Sequence, residues 1–218
     1  MVGGGGPVAP SWPEWTRNKK LLIALGVFLF SATLIWFGAA SGSHIILHRP
    51  APADAILVLT DDPDDLNYWQ ALSLLRSGVG RLVLLNVDNT ISPFGSTEIP
   101  LAQRFVAATA GDLFPKVHIC SQPGLDEASY IGRCLKEYGI RTVLIVASEP
   151  HSREAYLRFR YCLPQYHWSV FAAPHPTLYG RRWWRHRQWA KFYLYSWEGL
   201  LDFALQSIRS LPPQSVCN

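Results

Sequence analysis

Residues 53–87 read ADAILVLT, DDPDD, LNYWQALSLLRS, GVG and RLVLLNV in turn, and the order of those pieces decides the fold. Ala53–Thr60 and Arg81–Val87 are short runs rich in Val, Leu and Ile. Apolar on successive residues, they have the character of strands buried on both faces. Between them, Leu66–Ser77 places its apolar residues at helical spacing, and Gly78 supplies a stop, since glycine takes the left-handed conformation a helix end needs. Strand, helix and strand within about 30 residues make a βαβ unit.

The same alternation continues. Lys116–Cys120 (KVHIC) and Thr142–Ser148 (TVLIVAS) read as further strands, and Trp168–Pro174 (WSVFAAP) as a weaker fifth. Leu101–Ala110, Asp126–Tyr138 and Pro150–Leu163 are helical in pattern, with Gly111 and Gly139 closing two of them. Right-handed crossovers then predict an α/β, Rossmann-like three-layer domain over residues 53–208, a parallel sheet with helices on both sides. No repeat of matching side chains at a period of roughly 20–50 residues accompanies it, which argues against a solenoid.

Upstream, Leu21–Ala40 (LLIALGVFLFSATLIWFGAA) carries no charge. At about 1.5 Å per residue it matches the roughly 30 Å hydrocarbon core of a bilayer. Arg17, Lys19 and Lys20 precede it, so the positive-inside rule holds the N-terminus in the cytoplasm and sends the rest across, with Trp15 and Trp36 as interfacial anchors. The expected organisation is a flexible cytoplasmic tail (1–20), a single transmembrane helix (21–40), a linker (41–52), the α/β domain (53–208) and a short tail (209–218). Ala39-Ala40-Ser41 resembles a signal-peptide cleavage site, but such peptides have apolar runs of about 7–15 residues. The leader, with Gly3–Gly6 and three prolines in residues 1–13, is also a poor n-region, so an uncleaved anchor is the expectation.

Composition agrees. Of 218 residues, 49% are hydrophobic and only 17% charged, which excludes a disordered chain and lies below the roughly 25% charged residues of a soluble domain. The net charge of +4 is unevenly spread. Residues 1–50 carry +3 (Arg17, Lys19, Lys20 and Arg49 against Glu14), residues 51–178 carry −3, and residues 179–218 carry +4. Cys120, Cys134, Cys162 and Cys217 form no CxxC pair. The first three read as small buried hydrophobes, with one disulfide open as a possibility in an oxidising compartment.

In such a sheet, ligands bind beyond the carboxyl ends of the strands. The first exit, Thr60-Asp61-Asp62-Pro63-Asp64-Asp65, gathers carboxylates that could hold a hard cation, or in which Asp62 or Asp64 caps the next helix. The second exit brings Asn86 and Asp88, the third leads into Asp126-Glu127, and His175 follows the fifth strand. The fourth exit, Ser148-Glu149-Pro150-His151-Ser152-Arg153, is the densest in polar chemistry. A histidine at a helix N-terminus can donate, accept or polarise, and Arg153 can clamp an anion. The plainer reading has Ser148 as N-cap and Pro150 as first helical residue. No GxSxG elbow, no GxGxxG after the first strand and no phosphate loop is present, which sets aside three common enzyme classes.

The order ADAILVL, a helix ending ALSLLRSG, Asp126-Glu127-Ala128 and VLIVASEPHSREA, closed by a tryptophan-rich helix containing Lys191, resembles the YdcF/SanA/ElyC domain of unknown function across residues 53–205. The resemblance implies a Rossmann-like domain anchored in the bacterial inner membrane and acting in envelope (peptidoglycan) biogenesis or barrier function, with a nucleotide-like cofactor raised for the family. The family's Ser, His and Ala are met by Ser148, His151 and Ala155, and its glutamate by Glu127. Its arginine is replaced by Glu154, with Arg153 one residue early. Its threonine is replaced by Gly124, and its glycine-rich turns by Thr60-Asp61-Asp62 and Asn86-Val87-Asp88.

Residues 179–197 hold eight aromatics with Arg181, Arg182, Arg185, Arg187 and Lys191 among them. They fit a helix on a membrane surface, a stacking site for an anionic glycan or lipid carrier, or aromatics packed under the sheet edge. Two functions follow as expectations. In the first, Glu127 and His151 form a catalytic centre, and Asp61, Asp62, Asp88, Ser148 and Arg153 hold a glycan, lipid-linked or nucleotide-like ligand, with no metal. The second is a non-catalytic membrane-anchored scaffold for an envelope partner. Nucleic acid is disfavoured by the expected location.

Overall fold

In the computed structural model, the described residues are 15–59, 65–87, 99–121, 126–174, 185–208 and 217. The chain divides into two compact units, residues 1–41 and 42–218. Helix α1 covers Trp15–Ile45. Within its Lys19–Gly38 stretch none of the chain is buried, although that stretch is apolar all the way round. A helix with no polar face and no protein cover is long and apolar enough to cross a membrane, as an anchor or a signal sequence does.

The second unit holds five strands: β1 (Ala55–Val58), β2 (Leu82–Asn86), β3 (Val117–Cys120), β4 (Thr142–Ser148) and β5 (His167–Ala173). They form one parallel sheet in the order β3-β2-β1-β4-β5. The α/β, Rossmann-like architecture read from the alternation is therefore present. The fifth strand, weak in sequence, is as long as β4 and pairs with it from Thr142↔His167 to Ser148↔Ala173. Helices α2 (Leu66–Arg76), α3 (Ile99–Thr109), α4 (Glu127–Glu137) and α5 (Ser152–Cys162) connect the strands, and α6 (Arg187–Ile208) follows β5.

Alternation along the strands builds two cores. Ala55 and Leu57 of β1 join Val143, Ile145 and Ala147 of β4 under α4 and α5, with Ile131, Leu135 and Phe159. Ile56, Val58, Leu144 and Val146 point the other way, under α2 and α3, with Leu72, Leu75 and Val106. Because both faces are covered, the strands have no polar side to show, which is why they read as unbroken apolar runs. Helix stops fall where expected: Gly78, Gly111 and Gly139 all have positive φ.

Residues 42–52, read as a linker, belong to the compact second unit. Ile45 is fully buried and Leu47 nearly so. The Leu47 amide donates to Ser152 Oγ at 2.9 Å, and Arg49 bridges Val170 at the edge of β5. The cysteines form two disulfides, Cys120–Cys134 and Cys162–Cys217. They replace the reading of the first three as isolated apolar fillers: Cys120 at the end of β3 is pinned to α4, and Cys162 at the end of α5 to the chain's C-terminal region.

At the amino edge of the sheet, Asp54 fastens three strands. Its Oδ2 accepts from the amides of Arg141 and Thr142 at 3.0 and 3.1 Å, its own amide donates to Thr142 Oγ1 at 2.8 Å, and Arg81 pairs with Oδ1. Those backbone bonds hold its carboxyl below the ordinary 3.8, against a smaller opposing effect of desolvation. A carboxylate with a depressed native pKa stabilises the fold above the unfolded value and loses that contribution as pH falls through the native one. Asp54→Ala is expected to cost about 1–2 kcal/mol at neutral pH, since two amides lose their acceptor. Denaturation at pH 7 and pH 3 checks it: the gap between variant and parent should narrow at the lower pH.

Candidate functional site

The first crossing of the sheet, β1 through β3, runs outward from the centre; the chain then returns to place β4 on the other side of β1. The point where the strand order reverses, between β1 and β4, is the place at the carboxyl edge where α/β proteins bind ligands. Asp61, Asp62 and Asp88 lie outside the described residues, as do Asp64, Gly124 and His175. The residue at the cap of α2 is Asp65, held at φ 54 with no side-chain capping bond. Aspartate tolerates this left-handed conformation better than most residues.

Glu127 stands at the start of α4, whose N-cap Asp126 accepts from the Ser129 amide at 2.8 Å. Its Oε1 accepts from Asn86 Nδ2 at 2.5 Å, and Asn86 Oδ1 accepts from the Tyr130 hydroxyl. Asn86 is the last residue of β2 and only 6% exposed. A buried amide with both ends engaged fixes the carboxylate's direction, so Glu127 is oriented by its neighbours rather than by its rotamer alone. Beside it, Ser121 Oγ is enclosed without a hydrogen-bond partner among the described residues.

Across β1, the β4 exit forms a second group. Ser148 ends the strand, and a 3-10 turn (Glu149–His151) leads into α5. Pro150 does lie in the first turn, but Ser148 makes no side-chain capping bond to it. The junction is tied instead by Ser152, fully buried, which donates to Glu149 O at 2.8 Å and accepts from Leu47. His151 Nδ1 lies 3.8 Å from Glu154, and its ring stands edge-on to Phe192 of α6. Glu154 also meets Arg158 at 3.0 Å, and its carboxylate packs where α6 carries Gly199. Arg153, half-buried beside the same exit, has its Nε enclosed without a hydrogen-bond partner among the described residues.

The structure thus gathers Ser148, His151 and Arg153 on one corner, and sets Glu127 with Asn86 and Tyr130 on another. Glu127 is fastened to β2 and His151 follows β4, with β1 between them. That is two strand spacings, about 10 Å, so any joint action on a ligand requires one that reaches across the end of β1. A hollow of about 340 Å³ opens at the ends of β1 and β2, lined by Val58, Asn67, Tyr68, Leu85, Leu101 and Phe105 among others. Asn67 donates to the Leu59 carbonyl at 3.0 Å, and Tyr68 bonds Thr109 at 3.0 Å, with burial raising its hydroxyl above the ordinary 10.0. Volume and lining suit a small organic ligand with an apolar part. Among the described residues no group of three or more His, Cys, Asp or Glu could hold a metal ion.

The sequence places Asn86 at the second strand exit without giving it a role, and does not single out Tyr130 or Asn67. The available signal was Asn86 itself, an amide closing an otherwise apolar strand, where burial demands partners.

No protein-family model matches the chain, and no curated protein matches it. Among solved structures, a protein of the universal stress protein family from Burkholderia pseudomallei is similar at 15% identity, over 56% of this chain and 97% of that one, with a TM-score of 0.37.

Proposed function

We propose that the chain is a membrane-tethered envelope-biogenesis or barrier factor of the YdcF/SanA/ElyC type, with its α/β domain outside the cytoplasm in the inner membrane's outer compartment. There it binds an anionic glycan, lipid-linked or nucleotide-like ligand at the carboxyl edge of the sheet. The observation that carries the ligand reading is Arg153, half-buried in the first turn of α5 at the β4 exit, with an Nε that no described group satisfies. Such groups are rare in native interiors, and an anion is the natural acceptor. Glu127 and His151 serve as polar centre and Ser148 as a hydroxyl ligand, with Asp61, Asp62 and Asp88, which lie outside the described residues, as further ligand-binding candidates from the sequence.

The location rests on a different observation. Two disulfides within one domain are stable in oxidising compartments and rare in the cytoplasm. They agree with Arg17, Lys19 and Lys20 holding the N-terminus inside, and an anchor or a signal sequence delivers the domain to the same side.

Thermal melting against nucleotides, inorganic phosphate, divalent cations and lipid-linked glycan precursors tests the ligand reading. An anionic ligand is expected to raise the melting temperature by several degrees, and Arg153→Ala to remove the rise while His151→Ala weakens it. No shift from any of them would contradict it.

A second reading is favoured by one observation. His151 and Glu154 are engaged against α6, as parts of a packing junction are, which suits a non-catalytic scaffold for an envelope partner. On that reading, a chain carrying both Glu127→Ala and His151→Ala restores an envelope defect as well as the parent. Failure to restore it at equal protein level excludes the scaffold.

A further inference from the structure

Helix α6 buries one side and leaves the other open. Tyr193 is buried against Ile45, with Trp189, Phe192, Trp197 and Leu200 packed around them. On the opposite side, Arg187, Lys191, Leu194, Glu198, Leu201 and Leu205 recur at intervals of four and three residues, and all six are exposed. At 100° per residue these intervals keep them in one stripe along the helix, with Tyr195 and Asp202 beside it. The leucines are substantially open, at 62% for Leu194, 56% for Leu201 and 52% for Leu205. Leu194 with Tyr195, and Leu201 with Leu205, leave two open apolar patches on one helix side, a surface suited to a partner.

The charges on the stripe say what covers it. Both cations lie in the first half, at Arg187 and Lys191, and both carboxylates in the second, at Glu198 and Asp202. We propose that α6 pairs antiparallel with α6 of a second copy of this chain, about a two-fold axis passing between Leu194 and Tyr195. About that axis Lys191 meets Glu198 of the second copy, Arg187 meets Asp202, Leu194 meets Tyr195, and Leu201 lies opposite Gln188 against the aliphatic stems of Arg187 and Lys191, while Leu205 lies beyond the overlap. Each contact then occurs twice, as an isologous interface requires. An anionic membrane surface fits the same leucines less well, because Glu198 and Asp202 would face headgroups of their own sign. Asp202 already accepts from Gln206 at 2.6 Å, so its carboxylate is held on the helix surface in reach of a neighbour.

The helix is 22 residues, about 33 Å, so the interface is small. Tethering to one membrane compensates by confining the copies to a plane, which raises their effective concentration. The pairing is independent of the ligand bound at the sheet edge.

The full-length chain in nanodiscs and in mild detergent, weighed by native mass spectrometry or mass photometry, tests the pairing. The parent is expected to form dimers, and Lys191→Glu to weaken them by about tenfold or more, since it sets like charges opposite each other at two symmetric places. Lys191→Glu combined with Glu198→Lys restores the opposite signs and is expected to restore the dimer, which misfolding of the single variant cannot mimic. A monomeric parent overturns the proposal, as does a single variant that dimerises like the parent, or a double variant that stays monomeric. A monomeric parent in which a tryptophan introduced by Leu201→Trp is quenched by brominated lipid, beyond the quenching of the chain's own tryptophans, would place the stripe on the bilayer instead.

Discussion

Replacing both Cys162 and Cys217 by serine is expected to destabilise the α/β unit by about 4 kcal/mol, and replacing Cys120 and Cys134 by about 3 kcal/mol. The two bonds close loops with sequence separations of 55 and 14. In the chain-entropy account, a cross-link removes conformations from the unfolded state, and more of them when the loop is longer. The larger effect therefore belongs to the pair that joins α5 to the C-terminal region, even though Cys120 is the more deeply buried cysteine. Urea denaturation of each serine pair against the oxidised parent measures the difference. Reductant should lower the midpoint of the parent and leave the four-serine chain unchanged. Equal midpoints for the parent with and without reductant would mean that the bonds do not form.

Phe159→Ala is expected to cost about 3–5 kcal/mol, the usual result of emptying an aromatic site in a closed core. Phe159 is 2% exposed, stacks on Trp168 of β5 with centroids 5.2 Å apart, and fastens α5 to the sheet among Leu135, Ile145 and Val170. Because α5 begins at the β4 exit, the same loss loosens His151 and Arg153. Ligand-induced stabilisation should fall along with intrinsic stability. Phe159→Leu keeps most of the volume and should cost less than about 2 kcal/mol. Equilibrium unfolding of both variants checks the pair of values, and an alanine effect below that of leucine would contradict this packing.

The sheet was legible because it is covered on both faces. Thr142–Ser148 could be bounded to the residue, since every position from Val143 to Ala147 is buried and Val, Leu, Ile and Ala fill them. Ala53–Thr60 reads longer than the strand: Ala55–Val58 forms the ladder, and Asp54 and Leu59 extend it by one amide bond each to β4, while Thr60 lies outside the described residues. Residues 41–52 read as a linker because their packing depends on long-range partners, Ser152 and Val170, that local spacing does not announce. The disulfides were hidden for the same reason, as Cys120 and Cys134 approach only once β3 and α4 are in place. Glu127, Ser148, His151 and Arg153 are chosen by rule, as polar residues at strand exits, and the structure places them at those exits. Tyr130, on a helix face that periodicity assigns to the core, gives no sign in the sequence of engaging Asn86, and Asn86, though named at its strand exit, gives none of orienting Glu127.

Fusing alkaline phosphatase, which folds only in an oxidising compartment, and separately a green fluorescent protein, which matures only in the cytoplasm, after residue 50 and after Asn218 tests the central claim most directly. A membrane-tethered domain outside the cytoplasm predicts active phosphatase and dark fluorescent protein at both positions. Bright fluorescence with inactive phosphatase would put the domain in the cytoplasm and contradict the account.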